Sequence, residues 1–234
     1  MIHMSTHASE NISRPISISV NAEAKVYGLL CVAMLLTLVG VFFGIASAQV
    51  LLRSGFHLFF LLAELAIIFT SGFWANRSPL NYILFAAFPL LSGFTVTPYI
   101  LYVLAGYANG GAILFDAALT TVFMTAAAAV FAKTTSLNLA GMRGVLFMGL
   151  IGLIVVGILQ IFIPSMRLEQ MELMIAGFGV LLFAAFISYD IQRTQTLARS
   201  GGNPFLLALS LYLDIFNLFL YVVRFMIAMS GNRR

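Results

Sequence analysis

The chain has 234 residues, of which 62% are hydrophobic and 9% are charged, and its formal net charge is +4. A soluble domain carries about 25% charged residues, so this composition excludes a soluble globular protein. Apolar runs of about 18 residues or more recur along the chain, and each is long enough to cross a bilayer as a helix. The sequence therefore predicts an all-α, polytopic membrane protein.

Two further classes are disfavoured by the distribution of particular residues. The basic residues stand singly in short loops and form no basic face with interleaved aromatic rings, so we expect the bilayer, and no nucleic acid, as their partner. Cys31 is the only cysteine and lies inside the first apolar run, which excludes an intramolecular disulfide and a Cys-x-x-Cys metal site.

The apolar segments succeed one another with short connections. Residues 1–24 are polar, rich in Ser, His and Asn, and predict a disordered cytoplasmic tail. Residues 25–230 predict one transmembrane domain, because no soluble insertion separates the segments. The seven predicted segments are 26–48, 57–74, 82–104, 112–132, 145–163, 173–191 and 205–229.

Basic residues outside the segments predict the orientation. With the N-terminus in the cytoplasm, Arg53 and Arg167 lie outside, together with Arg233 and Arg234 if the last segment crosses. The charge rule alone slightly favours six crossings, but the last segment is long enough to span, so we expect seven. The basic residues then placed in the cytoplasm are Arg14, Lys25, Arg77, Lys133, Arg143, Arg193 and Arg199.

Two aspartates, Asp190 and Asp214, lie in or against consecutive apolar segments near the predicted cytoplasmic face. A carboxylate at bilayer depth persists only where it is paired, hydrated or functional. Two carboxylates brought close can share a proton, and when ionised they offer oxygen ligands to a hard cation such as Ca²⁺. Arg77 and Arg193 are candidate counter-charges. The alternative for Asp190 is a residue that simply marks the water interface.

Polar side chains on the last segment fall within an arc of about 80°, at 100° per residue. Such a narrow stripe predicts a face directed at the bundle interior or a hydrated cavity, and the alternative is a set of hydrogen bonds that only join helices. Glu64 and Arg224 have depths compatible with an ion pair in the outer half of the membrane. The stripe consists of Ser210, Asp214, Asn217, Tyr221 and Arg224.

Enzyme motifs are largely missing, and we expect neither catalysis nor a cofactor. The sequence has no Glu–His metalloprotease spacing, no Gly-x-Gly-x-x-Gly and no phosphate-binding loop. An aspartyl intramembrane protease would also use two aspartates on adjacent helices and stays an alternative. Tyr189 precedes Asp190 as in that family, but Leu213 precedes Asp214 without the expected Gly-x-Gly.

Blocks spread over residues 25–229 resemble the Bax inhibitor-1 family, most specifically at the C-terminal end. Tyr-Asp-Ile-Gln-Arg at 189–193, the stretch at 209–220 and Arg224 resemble the family's C-terminal signature. Residues 146–152 resemble a stretch typical of bacterial members, and the block from 93–98 through 125–126 resembles a degenerate version of the family motif.

The resemblance implies a fold, a location and a function. It implies a seven-helix bundle with the last helix near the centre, in a bacterial inner membrane with a cytoplasmic N-terminus. It also implies a pH-sensitive calcium leak in which Asp190 and Asp214 form the sensor. The family's latch arginine on the second helix has no clean match, and Arg77 is the nearest candidate. The alternative implied by some bacterial relatives is an interaction module that modulates a membrane protease or a stress or cell-death pathway without transport.

Overall fold

The computed structural model describes residues 16–163 and 168–230, and within these ranges the chain forms nine α-helices and one 3₁₀ turn. This confirms the predicted all-α fold. The short turn is Leu139–Met142. The helices are α1 (Ile16–Ala46), α2 (Ala48–Ser54), α3 (Phe56–Phe69), α4 (Ser71–Trp74), α5 (Leu80–Gly106), α6 (Gly110–Thr134), α7 (Arg143–Phe162), α8 (Glu169–Arg199) and α9 (Pro204–Ser230).

Six helical segments of the described chain are long and apolar enough to cross a membrane, and α2 with α3 makes a seventh span if that bent pair is counted as one. The predicted second segment, 57–74, is not a single helix, because a break at Thr70 divides it into α3 and the short α4. A sharper bend lies just before the segment. α2 and α3 meet at an angle of 81°, and Gly55 at their junction has a left-handed φ of 72°. Glycine adopts this conformation without steric cost and so ends one helix and begins another. The helix also ends at Phe69, before the short α4.

The predicted disordered tail is too long by several residues. α1 begins at Ile16, so residues 16–24 are helical, whereas residues 1–15 lie outside the described ranges. Residues 16–24 contain neither glycine nor proline, and adding a residue to an existing helix is far easier than nucleating one. The long apolar helix therefore continues into the polar sequence that precedes it.

The last helix lies near the centre of the bundle, as predicted. α9 packs against α1, α5, α6 and α8, and it is the most buried of the six spans found in the described chain. It is a single helix of 27 residues, about 40 Å long at 1.5 Å per residue, which exceeds a hydrocarbon core of about 30 Å. The last segment is therefore long enough to cross the membrane.

The contact between α1 and α5 is close enough to depend on two glycines. A Cβ added at Gly93 would meet the backbone of α1, including the Thr37 carbonyl oxygen and, at 2.7 Å, the Gly40 Cα. A Cβ at Gly40 would in turn meet the Leu90 carbonyl oxygen and lie 3.0 Å from the Gly93 Cα. Small residues at a helix crossing allow backbones to approach in this way.

Tyr212 joins α9 to α1 through one hydrogen bond in the core. Its hydroxyl lies 2.8 Å from the Thr37 hydroxyl, and its ring packs edge-on against Phe88. We expect Tyr212→Phe to lower the free energy of unfolding by about 1 kcal/mol, because one buried hydrogen bond is lost while the ring packing is kept. Thermal unfolding in detergent measures the change. Tyr82→Phe, at an exposed ring, is the control, and equal unfolding temperatures for the two variants would contradict the expectation.

Candidate functional site

The structure brings Asp190 of α8 and Asp214 of α9 together in the interior. Asp190 is 3% exposed and Asp214 is 8% exposed, and their carboxyl groups are near neighbours that interact electrostatically. Ser210, one turn before Asp214, also lies near Asp190. Neighbouring helices cover the side chain of Asp190, which disfavours the alternative that it simply marks the water interface.

Two carboxyl oxygens of the pair have no hydrogen-bond donor among the described residues. Oδ2 of each aspartate is buried and receives no hydrogen bond from an N–H or hydroxyl group of the described residues. Two ionised carboxylates in contact repel each other, and buried polar atoms ordinarily find a partner. One proton shared between the two carboxyls would relieve the repulsion and supply that partner.

Of the two predicted counter-charges, only Arg193 lies beside the pair. Its Nη1 is 3.5 Å from Asp190 Oδ1, and its side chain is 39% exposed, so the guanidinium links the buried pair to the end of the bundle. Arg77 forms no ion pair with either aspartate in the described chain and is exposed in the turn between α4 and α5. The role of Arg77 as a counter-charge or latch therefore stays a prediction.

Two amide side chains fix the ends of the helices that carry the pair. Asn203 Oδ1 accepts a hydrogen bond of 2.8 Å from the Phe205 N–H and so caps α9, while its Nδ2 donates to the Ala75 carbonyl oxygen at 2.8 Å. Gln192, two residues beyond Asp190, accepts from the Leu139 N–H at 2.7 Å. The loops at this end are thus tied to α8 and α9 and hold the two aspartates in register.

Thr194 was not predicted, although it shares a helix face with Asp190. It lies one turn further along α8, is fully buried, and its Oγ1 has no hydrogen-bond partner within the described ranges. The spacing of four residues from a buried carboxylate was the available signal. Among the described residues, no cluster of three or more His, Cys, Asp or Glu is arranged to hold a metal ion.

The rest of the polar stripe on α9 borders a cavity of about 1080 Å³ between α3, α5, α9 and the start of α8. Asn217, Tyr221 and Arg224 line this cavity, whereas Ser210 and Asp214 lie at the contact with α8. The stripe therefore faces the interior along α9. Its residues lie in two separate places, the contact with α8 and the large cavity.

The predicted ion pair between Glu64 and Arg224 is not formed. Arg224 contacts Glu172 Oε2 through Nε and Nη2, both at 2.6 Å, and donates to Gln160 Oε1 at 2.7 Å. Glu64 instead accepts a hydrogen bond of 2.8 Å from the Thr95 hydroxyl. The first turn of α8 carries Glu172 against α9, so the guanidinium fork reaches two acceptors there at once. Gln160, a lone amide in an apolar segment, was the missed signal.

Asp116 lies away from both sites. It is exposed and lines a groove of about 530 Å³ between α6, α8 and α9. The groove is lined mainly by apolar side chains, among them three methionines. This carboxylate belongs to neither the aspartate pair nor the large cavity.

Fold and site together define a multi-pass helical membrane protein whose central helix, α9, contributes Asp214 to a buried acid pair with Asp190 of α8. A family model described as inhibitor of apoptosis-promoting Bax1 matches residues 21–232. The chain belongs to this family, the Bax inhibitor-1 family, as the resemblance of its C-terminal block indicated.

Relatives match along nearly the full length of both chains. The chain is 33% identical to an uncharacterized protein of Campylobacter jejuni over 213 residues, covering 90% of this chain and 88% of the relative. It is 27% identical to the inner membrane protein YbhL of Escherichia coli over 242 residues, covering 97% of each chain. Protein lifeguard 4 of the mouse is 31% identical over 223 residues, covering 88% of this chain and 84% of the relative.

Proposed function

We propose that this protein is a pH-sensitive leak pathway for Ca²⁺ or another small cation, controlled by the Asp190–Asp214 pair. The observation that carries the proposal is that these two buried carboxyl groups are near neighbours at the interface of α8 and α9. Buried carboxyl groups of this kind are costly in a membrane protein and ordinarily mark an ion or proton route.

The pair is suited to respond to pH because its two acids are coupled. When the pair holds one proton, the carboxyls bind each other and hold α8 against α9. Loss of that proton adds a negative charge next to Arg193, which favours a closer contact between this arginine and the pair. Gain of a second proton removes the charge and releases that contact. Protonation therefore changes which groups join the two helices at this end of the bundle.

A route toward the pair is supported by the large cavity. The cavity extends along α9 as far as Phe216 and Asn217, and Asn217 is three residues, about 4.5 Å of rise, from Asp214. Phe216 and Leu220 also line it, so apolar side chains stand among the polar ones along this wall. A small displacement of α8 against α9 would connect cavity and pair, and the pair would then offer carboxylate oxygens to a hard cation. We infer that the described arrangement is the closed state.

Cation flux into proteoliposomes that contain a Ca²⁺ indicator tests the proposal. We expect the flux to change with pH across the near-neutral range, and Asp214→Asn to flatten that dependence, because an amide cannot titrate and the coupling is lost. Asp116→Asn removes a carboxylate outside the pair and is the matched control, which should keep the wild-type pH profile.

Two outcomes would contradict the proposal. An unchanged pH response in Asp214→Asn would exclude control by the pair. Wild-type protein that is folded but passes no cation at any pH would exclude the leak and favour the alternative role as a membrane interaction module for a protease or stress pathway. Cleavage of a helical reporter that requires both aspartates would instead indicate an intramembrane protease.

A further inference from the structure

The large cavity that supports the proposed cation route also has the size and the lining of a binding site for an organic ligand. Its volume of about 1080 Å³ matches or exceeds the range of about 300–1000 Å³ typical of sites for organic ligands. Four tyrosines line it, and two adjacent pairs of their rings are in contact, with centroids 6.4 Å apart for Tyr99 and Tyr102 and 6.2 Å apart for Tyr102 and Tyr107. The fourth ring belongs to Tyr221.

The charges along the cavity favour a cationic occupant. Three glutamates and one arginine line it, which gives these side chains a formal excess of two negative charges when all are ionised. Arg224 is already held by Glu172 and Gln160, so its charge is compensated within the wall. The glutamates are Glu64, Glu169 and Glu172.

Glu64 is the central feature of this lining. It is 9% exposed, it accepts a hydrogen bond from the neutral hydroxyl of Thr95, and the hydroxyl of Ser92 also lies near it. No arginine or lysine of the described chain forms an ion pair with it. A buried carboxylate at the edge of a cavity, without a cationic partner, leaves a counter-charge to be supplied by a ligand.

From these observations we propose that the cavity binds an organic ammonium ion, a quaternary ammonium or a protonated amine. The faces of aromatic rings attract such ions through their quadrupoles, and cages of aromatic side chains are a known means of recognising them. Glu64 supplies the neutralising charge, and Tyr99 with its neighbours supplies the aromatic wall. The proposed leak uses the same cavity, but binding of the ammonium ion is measured at equilibrium without cation flux, so either proposal can fail while the other holds.

Calorimetric titration of the detergent-solubilised full chain tests this proposal, with choline as the probe. 3,3-Dimethylbutan-1-ol has the same shape without the charge, and we expect it not to bind. Glu64→Gln keeps the size of the side chain and should weaken choline binding by roughly tenfold, the effect of losing one charge contact. Tyr99→Leu should weaken binding several-fold by removing one aromatic face.

Control measurements distinguish a loss of binding from a loss of folding. They also distinguish free choline from a lipid headgroup as the ligand. Asp116→Asn lies outside the cavity and should bind choline as the wild type does. Thermal unfolding of each variant confirms that it is folded, and Glu169→Gln provides a second charge removal in the same cavity. Equal binding of choline and its neutral analogue, or unchanged affinity in both glutamine variants, would overturn the proposal. Binding of a short-chain phosphatidylcholine without binding of choline would overturn it in favour of a lipid headgroup.

Discussion

Gly93→Ala is expected to lower the free energy of unfolding by about 1–3 kcal/mol, the usual cost of overpacking a tightly packed core. The added methyl group would stand 2.7 Å from both the Gly40 Cα and the Val41 backbone nitrogen, and neither atom can move without shifting α1. Gly40→Ala should have a similar effect, because its Cβ would meet the backbone of α5 at Leu90 and Gly93. Thermal unfolding in detergent measures both changes.

The helix α7 supplies a matched control for these glycines. Gly152 and Gly157 have no atom of another element within 4 Å of an added Cβ. Alanine at either position should leave stability unchanged or raise it slightly, because alanine is the better helix former. Equal unfolding temperatures for all four alanine variants would contradict the close contact between α1 and α5.

Arg224→Met is expected to destabilise the protein by about 2 kcal/mol, because it removes a charge-assisted network between α7, α8 and α9. Glu172 and Gln160 would lose their shared donor, and the carboxylate would remain partly buried without a cation. The side chains of Arg224 and Glu172 are each about a quarter exposed toward the cavity, so the loss should be smaller than for a fully buried pair. Chemical or thermal unfolding in detergent measures it.

A double-mutant cycle identifies the partner of Arg224. Combining Arg224→Met with Glu172→Gln removes the unpaired carboxylate, so the double variant should be more stable than the sum of the single losses implies. Arg53→Met, at an exposed arginine at the end of α2, is the control and should unfold as the wild type does. If Arg224→Met couples to Glu64→Gln instead of Glu172→Gln, the predicted pair rather than the observed one is correct.

Single residues show where sequence interpretation succeeded and where it did not. Asp190 and Asp214 could be found because a carboxylate within an apolar run is unusual by itself, and the structure places them in contact. The partner of Arg224 could not be predicted from its depth in the membrane. Depth gives the position of an acid along the membrane normal, but it does not say which helices and helix faces meet at that depth. Glu172 stands one residue before the predicted segment 173–191, yet α8 begins at Glu169 and Glu172 contacts Arg224 of α9.

The second segment shows the same limit in the backbone. Its hydropathy predicted one helix over 57–74, since length and apolar content alone cannot locate the break at Thr70 that separates α3 from α4. The sharp bend lies just before this segment, at Gly55, where α2 and α3 meet at 81°. Arg77 lies in the turn between α4 and α5, and its role as a latch stays a prediction.

The sequence by itself determined the class of protein, the positions of most spanning helices and the two aspartates. These properties follow from the transfer of apolar and charged groups between water and lipid, which depends on local composition. Only the tertiary structure decided which acid binds Arg224, which arginine lies beside the pair, and that four tyrosines and Glu64 line the same large cavity. Those features depend on which faces of distant helices meet, and helix packing is set by the shapes of many side chains together.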